Sequence, residues 1–189
     1  MRAFLKTERQ LLRGVRQLST EALAEAYDRY SSELYAYAMR QLANAGLAED
    51  CVAETYRRLL DAVQRGDGPR RHLRAYLYRT AHNWITDNYR CPPTEELVEI
   101  GSLEDDLADP PERRLVAEAD RAELMEAMAT LTMDQRQVLL LRFVEDWSLA
   151  DTARAMQRSV GAVKALQFRA VRTLADALGH RMGGHDSRT

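Results

Sequence analysis

Residues 148–174 read SLADTARAMQRSVGAVKALQFRAVRTL, and their punctuation decides what the chain folds into. Ser148, with Asp151 three residues on, forms a capping box that predicts a short helix over 149–156. A turn, QRS (157–159), follows, and Ser159 is placed to cap a longer helix beyond it. Short helix, tight turn and longer helix make a helix-turn-helix, whose second helix lies in the DNA major groove. One residue of such a turn favours positive φ and is usually glycine; here the position falls on Gln157.

Wound as a helix, 159–174 sends Val163, Leu166, Ala170, Val171 and Leu174 to one side. The other side carries Lys164, Ala165, Phe168, Arg169 and Arg172. Gly161, Ala162 and Ala165 are small enough for close approach, and the alanines suit a thymine methyl. Lys164 and Arg169 suit bases or phosphates, Arg172 a phosphate, and Phe168 a thymine methyl or the sugar-phosphate wall. The ordinary alternative is a solvated helix with Phe168 packed on a partner helix.

Upstream, Thr132 with Gln135 in TMDQ forms another capping box and starts another helix. Helical periodicity covers about Glu21–Arg90 and about Glu112–Leu178. Between them lies CPPTEELVEIGSLEDDLADPPERR (91–114), with paired prolines at both ends and carboxylates inside, which predicts an extended, solvated tether. With 46% hydrophobic but only 7% aromatic residues, the composition suits amphipathic helices rather than strands. The expected fold is all-α: an N-terminal extension (1–20), a helical domain (21–90), an acidic flexible linker (91–112), a second helical domain (113–178) and a disordered tail (179–189). In the extension, Leu11, Leu12, Val15 and Leu18 suit an amphipathic regulatory helix, unless the segment is disordered.

A formal net charge of −2 gives no global nucleic-acid signal, so basic surface has to be local. Cys51 and Cys91 lie outside any Cys-x-x-Cys pair, and reduced structural thiols are expected rather than a zinc site or disulfide. His180 and His185 sit in the expected tail and do not suggest a metal site. No cofactor, metal or catalytic residue is expected. The N-terminus lacks an apolar run long enough for a signal peptide or membrane span, so a cytoplasmic protein without membrane insertion is expected.

Two further segments carry chemistry. In HLRAYLYRTAHNWITDNYR (72–90), Leu73, Tyr76, Leu77, Thr80, Ala81 and Trp84 form a core stripe. Beside it runs a polar stripe of Arg79, His82, Asn83, Thr86 and Arg90. The preceding RGDGPRR (65–71) is a flexible Gly/Pro loop rich in arginine. Basic loop and basic helix with interleaved aromatics resemble a surface for opened DNA strands. In LAEDCVAETYRRLLDAV (47–63), Val52, Tyr56, Leu59 and Val63 face inward, and Asp50, Glu54, Arg57, Arg58 and Asp61 form a mixed-charge outer ridge. Taken alone, that ridge is a solvated helix face.

Together these blocks resemble the extracytoplasmic-function sigma factors, the small two-domain members of the sigma-seventy family of bacterial transcription initiation factors. AEDCVAETY (48–56) is similar to the family's A-E-D-x-V-Q-E-x-F, with Ala53 for Gln and Tyr56 for Phe. LRAYLYRTAHNWITD (73–87) matches F-R-A-W-L-Y-R-I-A-x-N-x-x-x-D at Arg74, Ala75, Leu77, Tyr78, Arg79, Ala81, Asn83 and Asp87. LTMDQRQVLLLRF (131–143) resembles L-P-x-x-Q-R-x-V-L-L-L-R-F, and SVGAVKALQFRA (159–170) follows S-x-G-x-V-K. Ala162 stands for a common Thr, and ALQ (165–167) for Ser-Arg-Leu.

The resemblance implies a sigma region 2 domain over 21–90 and a sigma region 4 domain over 113–178. It implies that Asp50, Glu54, Arg57 and Arg58 dock on the β-prime clamp of core RNA polymerase, with region 4 on the β flap. Arg70, Arg71, Arg74, Arg79 and Asn83 are then expected at the minus-ten element, the 66–72 loop capturing a flipped base. Ser159, Ala162, Lys164, Ala165, Phe168, Arg169 and Arg172 are expected at the minus-thirty-five element. The linker is expected to run through the polymerase cleft, where Glu104, Asp105 and Asp106 mimic RNA phosphates. An anti-sigma factor covering the polymerase-binding surfaces is implied as a further partner. The expected function is that of a non-enzymatic sigma factor directing promoter-specific initiation. The rival reading is a stand-alone helix-turn-helix regulator, which leaves the acidic ridge and the 72–90 helix unexplained.

Overall fold

The computed structural model describes residues 7–88 and 123–182, which are entirely helix, turn and connecting backbone. The chain divides into two compact units, one built around 7–88 and the other around 123–182. The acidic linker, Arg90 and Cys91 lie outside the described residues, as do 183–189 at the C-terminus.

In the first unit, α1 (Glu8–Arg16), α2 (Thr20–Leu42), α3 (Ala45–Gln64) and α4 (Leu73–Asn88) pack around α2, which touches each of the others. Residues 1–20, read from sequence as an extension, supply α1. Thr7 and Gln10 cap it reciprocally, and Leu11 and Val15 are wholly buried, while Leu18 is turned out to solvent. Close contact sets the seam between α1 and α2: a Cβ placed on Gly14 stands 2.5 Å from the Ala22 Cβ. Ser19 starts α2 by accepting from the Ala22 N–H, and Asn44 starts α3 by accepting from the Leu47 N–H at 2.9 Å.

Helix α4 buries a wider arc than its sequence predicts, because it packs on both α2 and α3. Leu73, Leu77, Thr80 and Ala81 are buried as expected, but Tyr76 and Trp84 are half-exposed. Tyr78 and Ile85, absent from the predicted stripe, are wholly buried. The core arc is turned by roughly one residue's rotation, ~100°. That turn also carries His82 inward from the expected polar stripe. Its Nδ1 lies 3.0 Å from the Tyr37 hydroxyl, which accepts from Gln41 Nε2 at 3.2 Å. On α3, Val52, Leu59 and Val63 are buried, whereas Tyr56 is half-buried at the edge and donates its hydroxyl to the Ala26 carbonyl at 3.0 Å. Cys51 is wholly buried and free, and burial pushes its thiol up to about 12, so it persists as an unreactive thiol.

In the second unit, α5 (123–129) is followed by α6 (Met133–Leu139), a π-helical turn (Leu140–Val144), α7 (Leu149–Ala155) and α8 (Val160–Met182). The predicted TMDQ box is present in both directions: Gln135 N–H donates to Thr132 Oγ1 at 3.2 Å, and Thr132 N–H to Gln135 Oε1 at 2.9 Å. Ser148 accepts from the Asp151 N–H at 3.1 Å, and Ser159 accepts from the Ala162 N–H at 3.1 Å. Between α7 and α8, Gln157 has φ 51°, the left-handed turn conformation expected at that position. Helix α8 rests on α6 through Val163, Leu166 and Ala170. Val171, predicted inward, lies at the edge of this narrow stripe and is 45% exposed. The helix also runs on to Met182, through the start of the segment expected to be disordered.

Four substitutions at three positions test these constraints. Gly14→Ala should lower stability by about 1–3 kcal/mol, although Gly→Ala within a helix is ordinarily stabilising. Gly46→Ala, whose added Cβ meets only Asn44 Oδ1 at 3.6 Å, should raise it by up to about 1 kcal/mol; urea unfolding reads both. Gln157→Gly should stabilise the second unit by up to about 1 kcal/mol by removing left-handed strain, whereas Gln157→Val should destabilise it, in thermal unfolding.

Candidate nucleic-acid and protein interfaces

The outer arc of α3 is the charged ridge. Glu54 stands at its centre, accepting from Arg57 Nε at 2.6 Å and from Arg58 Nε at 2.8 Å. Arg57 reaches Asp61 Oδ2 at 2.7 Å with its remaining fork. These are i,i+3 and i,i+4 contacts, so helical geometry alone brings them together. Hydrogen bonds from Arg57 and then Arg58 draw the Glu54 carboxyl down to about 2, which keeps it ionised at neutral pH. Asp50, one turn earlier, is exposed and makes no ion pair among the described residues. The ridge therefore joins an accessible carboxylate to a fixed Arg–Glu–Arg array. Such exposed pairs contribute little to stability but hold charges in a defined order.

The loop between α3 and α4 is more constrained than its Gly/Pro composition suggests. Gly66, at φ 82°, closes α3, and the Asp67 N–H returns to the Ala62 carbonyl at 2.8 Å. A Cβ on Gly68 would stand 2.6 Å from Val63 Cγ2, and Pro69 is buried. Arg70 and Arg71 project from this anchored loop and are exposed. The structure separates Arg74 from them: its Nε donates to Glu33 Oε2 at 2.9 Å, and its guanidinium lies over the Tyr78 ring, 5.6 Å from the centroid. Its backbone N–H donates to Glu8 Oε1 at 3.4 Å, so α1 supplies a carboxylate to the start of α4. Farther along, Arg79 lies over the Tyr76 ring at 5.0 Å and Asn83 is exposed, bringing cation, aromatic and amide to one outer face.

On α8, Ser159 is committed to the cap, and Ala162, Lys164, Ala165, Arg169 and Arg172 are all exposed. Phe168 is 70% exposed and rests on no partner helix, against the packed alternative. Between Val160 and Val171 this helix carries no carboxylate. The result is a cationic face with apolar and small residues at its centre, suited chemically to a groove lined by phosphates and thymine methyls.

Sequence reading missed the partners that hold these surfaces. Glu8 and Glu33 reach Arg74, and Asp134 pairs with Arg158 in the helix-turn-helix turn. Their separations of 66, 41 and 24 residues exceed anything helical periodicity connects. The TERQ capping box at 7–10 was a readable signal for α1. Among the described residues no group of three or more His, Cys, Asp or Glu is arranged to hold a metal ion, and no helix is long and apolar enough to cross a membrane.

Comparison with known proteins places both units. Sigma-70 region 2 matches residues 26–91, and Sigma-70, region 4 matches residues 121–174. The chain is similar to the ECF RNA polymerase sigma factor BldN of Streptomyces coelicolor, with 32% identity over 84% of this chain and 61% of that one. It therefore spans less than two thirds of that relative's length. It is also similar to the ECF RNA polymerase sigma factor SigL of Mycobacterium tuberculosis, with 32% identity over 84% of this chain and 93% of the relative. Its fold resembles the sigma factor RpoE of Bartonella quintana, solved in complex with the anti-sigma factor NepR: TM-score 0.59, 19% identity, covering 85% of this chain and 98% of that one. With region 2, region 4 and a near full-length match to SigL, the chain belongs to the ECF sigma factors of the sigma-70 family, which are non-enzymatic factors of transcription initiation.

Proposed function

We propose that this chain docks on core RNA polymerase through the α3 ridge and recruits it to promoters read by α4 with its preceding loop and by α8. The observation that carries the reading is the outer face of α8, where an exposed Phe168 stands among Lys164, Arg169 and Arg172. Exposed apolar surface among cations is costly in water and is relieved by a partner that is anionic at its rim and apolar within, as a major groove is.

Asp50 and Glu54 supply the carboxylates for a basic or mixed-charge site on the β-prime clamp, and Arg57 and Arg58 fix register around them. Arg70 and Arg71, carried on an anchored loop, and Arg79 and Asn83, on the outer face of α4, hold the opened minus-ten strand. Arg74 has a second role beside any backbone contact, since it braces α4 against α2 through Glu33. Lys164, Arg169 and Arg172 hold the minus-thirty-five element, with Ala162 and Ala165 allowing approach and region 4 seated on the β flap. The protein works in the cytoplasm, without membrane insertion. Regulation by an anti-sigma factor is supported by the assembly in which the similarly folded RpoE was solved.

Run-off transcription with core polymerase, with and without this chain, on a promoter from its own genome tests the assignment; transcripts independent of the chain would refute it. Replacing Asp50 and Glu54 together by Lys should weaken core-polymerase binding by about tenfold or more while circular dichroism stays unchanged; unaltered binding would remove α3 as the docking helix. Replacing Arg169 and Arg172 by Ala should reduce use of promoters that need the upstream element. It should also make the salt dependence of upstream binding shallower by about two, or about one per lost phosphate contact.

A further inference from the structure

The Arg158 guanidinium is paired with the Asp134 carboxylate at the mouth of the helix-turn-helix. Both side chains are well exposed, at 43% and 42%. The backbone beneath Arg158 is fixed: its N–H donates to the Ala153 carbonyl at 3.0 Å, Gln157 holds the left-handed turn, and Ser159 caps α8 immediately after it. Arg158 thus projects from the end of α8 that also carries Gly161, Ala162 and Ala165, the residues that permit close approach. An exposed pair of this kind adds little to stability, and stability is a weak account of its presence. A guanidinium fork binds phosphate as readily as carboxylate, and a DNA flank presents many phosphates.

We propose that Arg158 is a phosphate contact held in reserve by Asp134. In the free protein the carboxylate occupies the guanidinium; when α8 enters the groove, a backbone phosphate takes its place. Breaking the pair with Asp134 costs part of what the phosphate contact supplies, and so opposes binding. The pair lowers affinity for duplex DNA in general, since phosphate contacts carry no sequence information, and leaves discrimination to the outer face of α8. The inference rests on the reading of α8 as a promoter-reading helix.

The test uses holoenzyme assembled from core polymerase and the full chain, and a labelled duplex covering the upstream element of a promoter it transcribes, titrated at several salt concentrations. Arg158→Ala should weaken binding and make the salt slope shallower by about one. Asp134→Asn should tighten binding by about two- to fivefold, the range of an exposed ion pair, and the gain should vanish when Arg158 is also Ala. An unchanged slope for Arg158→Ala overturns the proposal. So does weaker binding by Asp134→Asn in step with Arg158→Ala, accompanied by matching losses of Tm, because the pair is then a structural brace. The variant lacking Arg169 and Arg172 separates the two readings. If it binds normally, the assignment of α8 itself fails; if it binds poorly while Asp134→Asn and Arg158→Ala bind like wild type, only the phosphate exchange is lost.

Discussion

Helix α8 is held by a narrow stripe, Val163, Leu166 and Ala170, laid on α6, and the character of the second unit follows from that narrowness. A helix buried over a wide arc is secure but has little surface left to offer. One buried over a single row of small and medium residues keeps most of its circumference in water. The capping serine at its start and the left-handed Gln157 before it then fix the direction in which that circumference points. Local backbone chemistry thus supplies the positioning that a larger core would otherwise supply.

The first unit solves the opposite problem. Its helix α4 packs on two neighbours, carrying His82 into the interior to meet Tyr37, while the half-exposed Arg74 meets Glu33 at the surface. A buried hydrogen bond between helices favours one arrangement of them, because a shift strands a polar group without its partner. The outer face of α4, with Arg79, Tyr76 and Asn83, inherits that precision. Its chemistry is surface chemistry, but its placement is set by the core.

Much of this was legible in the sequence where the signal is local. The Thr132–Gln135 box, the Ser159 cap, the turn at Gln157 and the ridge on α3 all depend on residues within one or two turns of each other. What escaped was set by packing between distant segments. Periodicity gives the existence of an apolar face but not its width, so Tyr78, Ile85 and His82 were misplaced by one residue's rotation and Val171 was sent inward. The RGDGPRR loop read as flexible from its glycines, yet Gly68 is required for tight contact with Val63. Glu33 and Asp134 carry no local mark of the arginines they meet.

The contact of Gly14 with Ala22 also bears on where the first domain begins. The recognisable region 2 pattern starts at residue 26, inside α2. The folding unit reaches back at least to the Thr7 cap, since Leu11 and Val15 are buried in α1, which packs on α2. A fragment cut at the pattern's edge would sever a helix and strip its seam. The domain that physics recognises here is longer than the one that sequence comparison recognises, by about one helix and a turn.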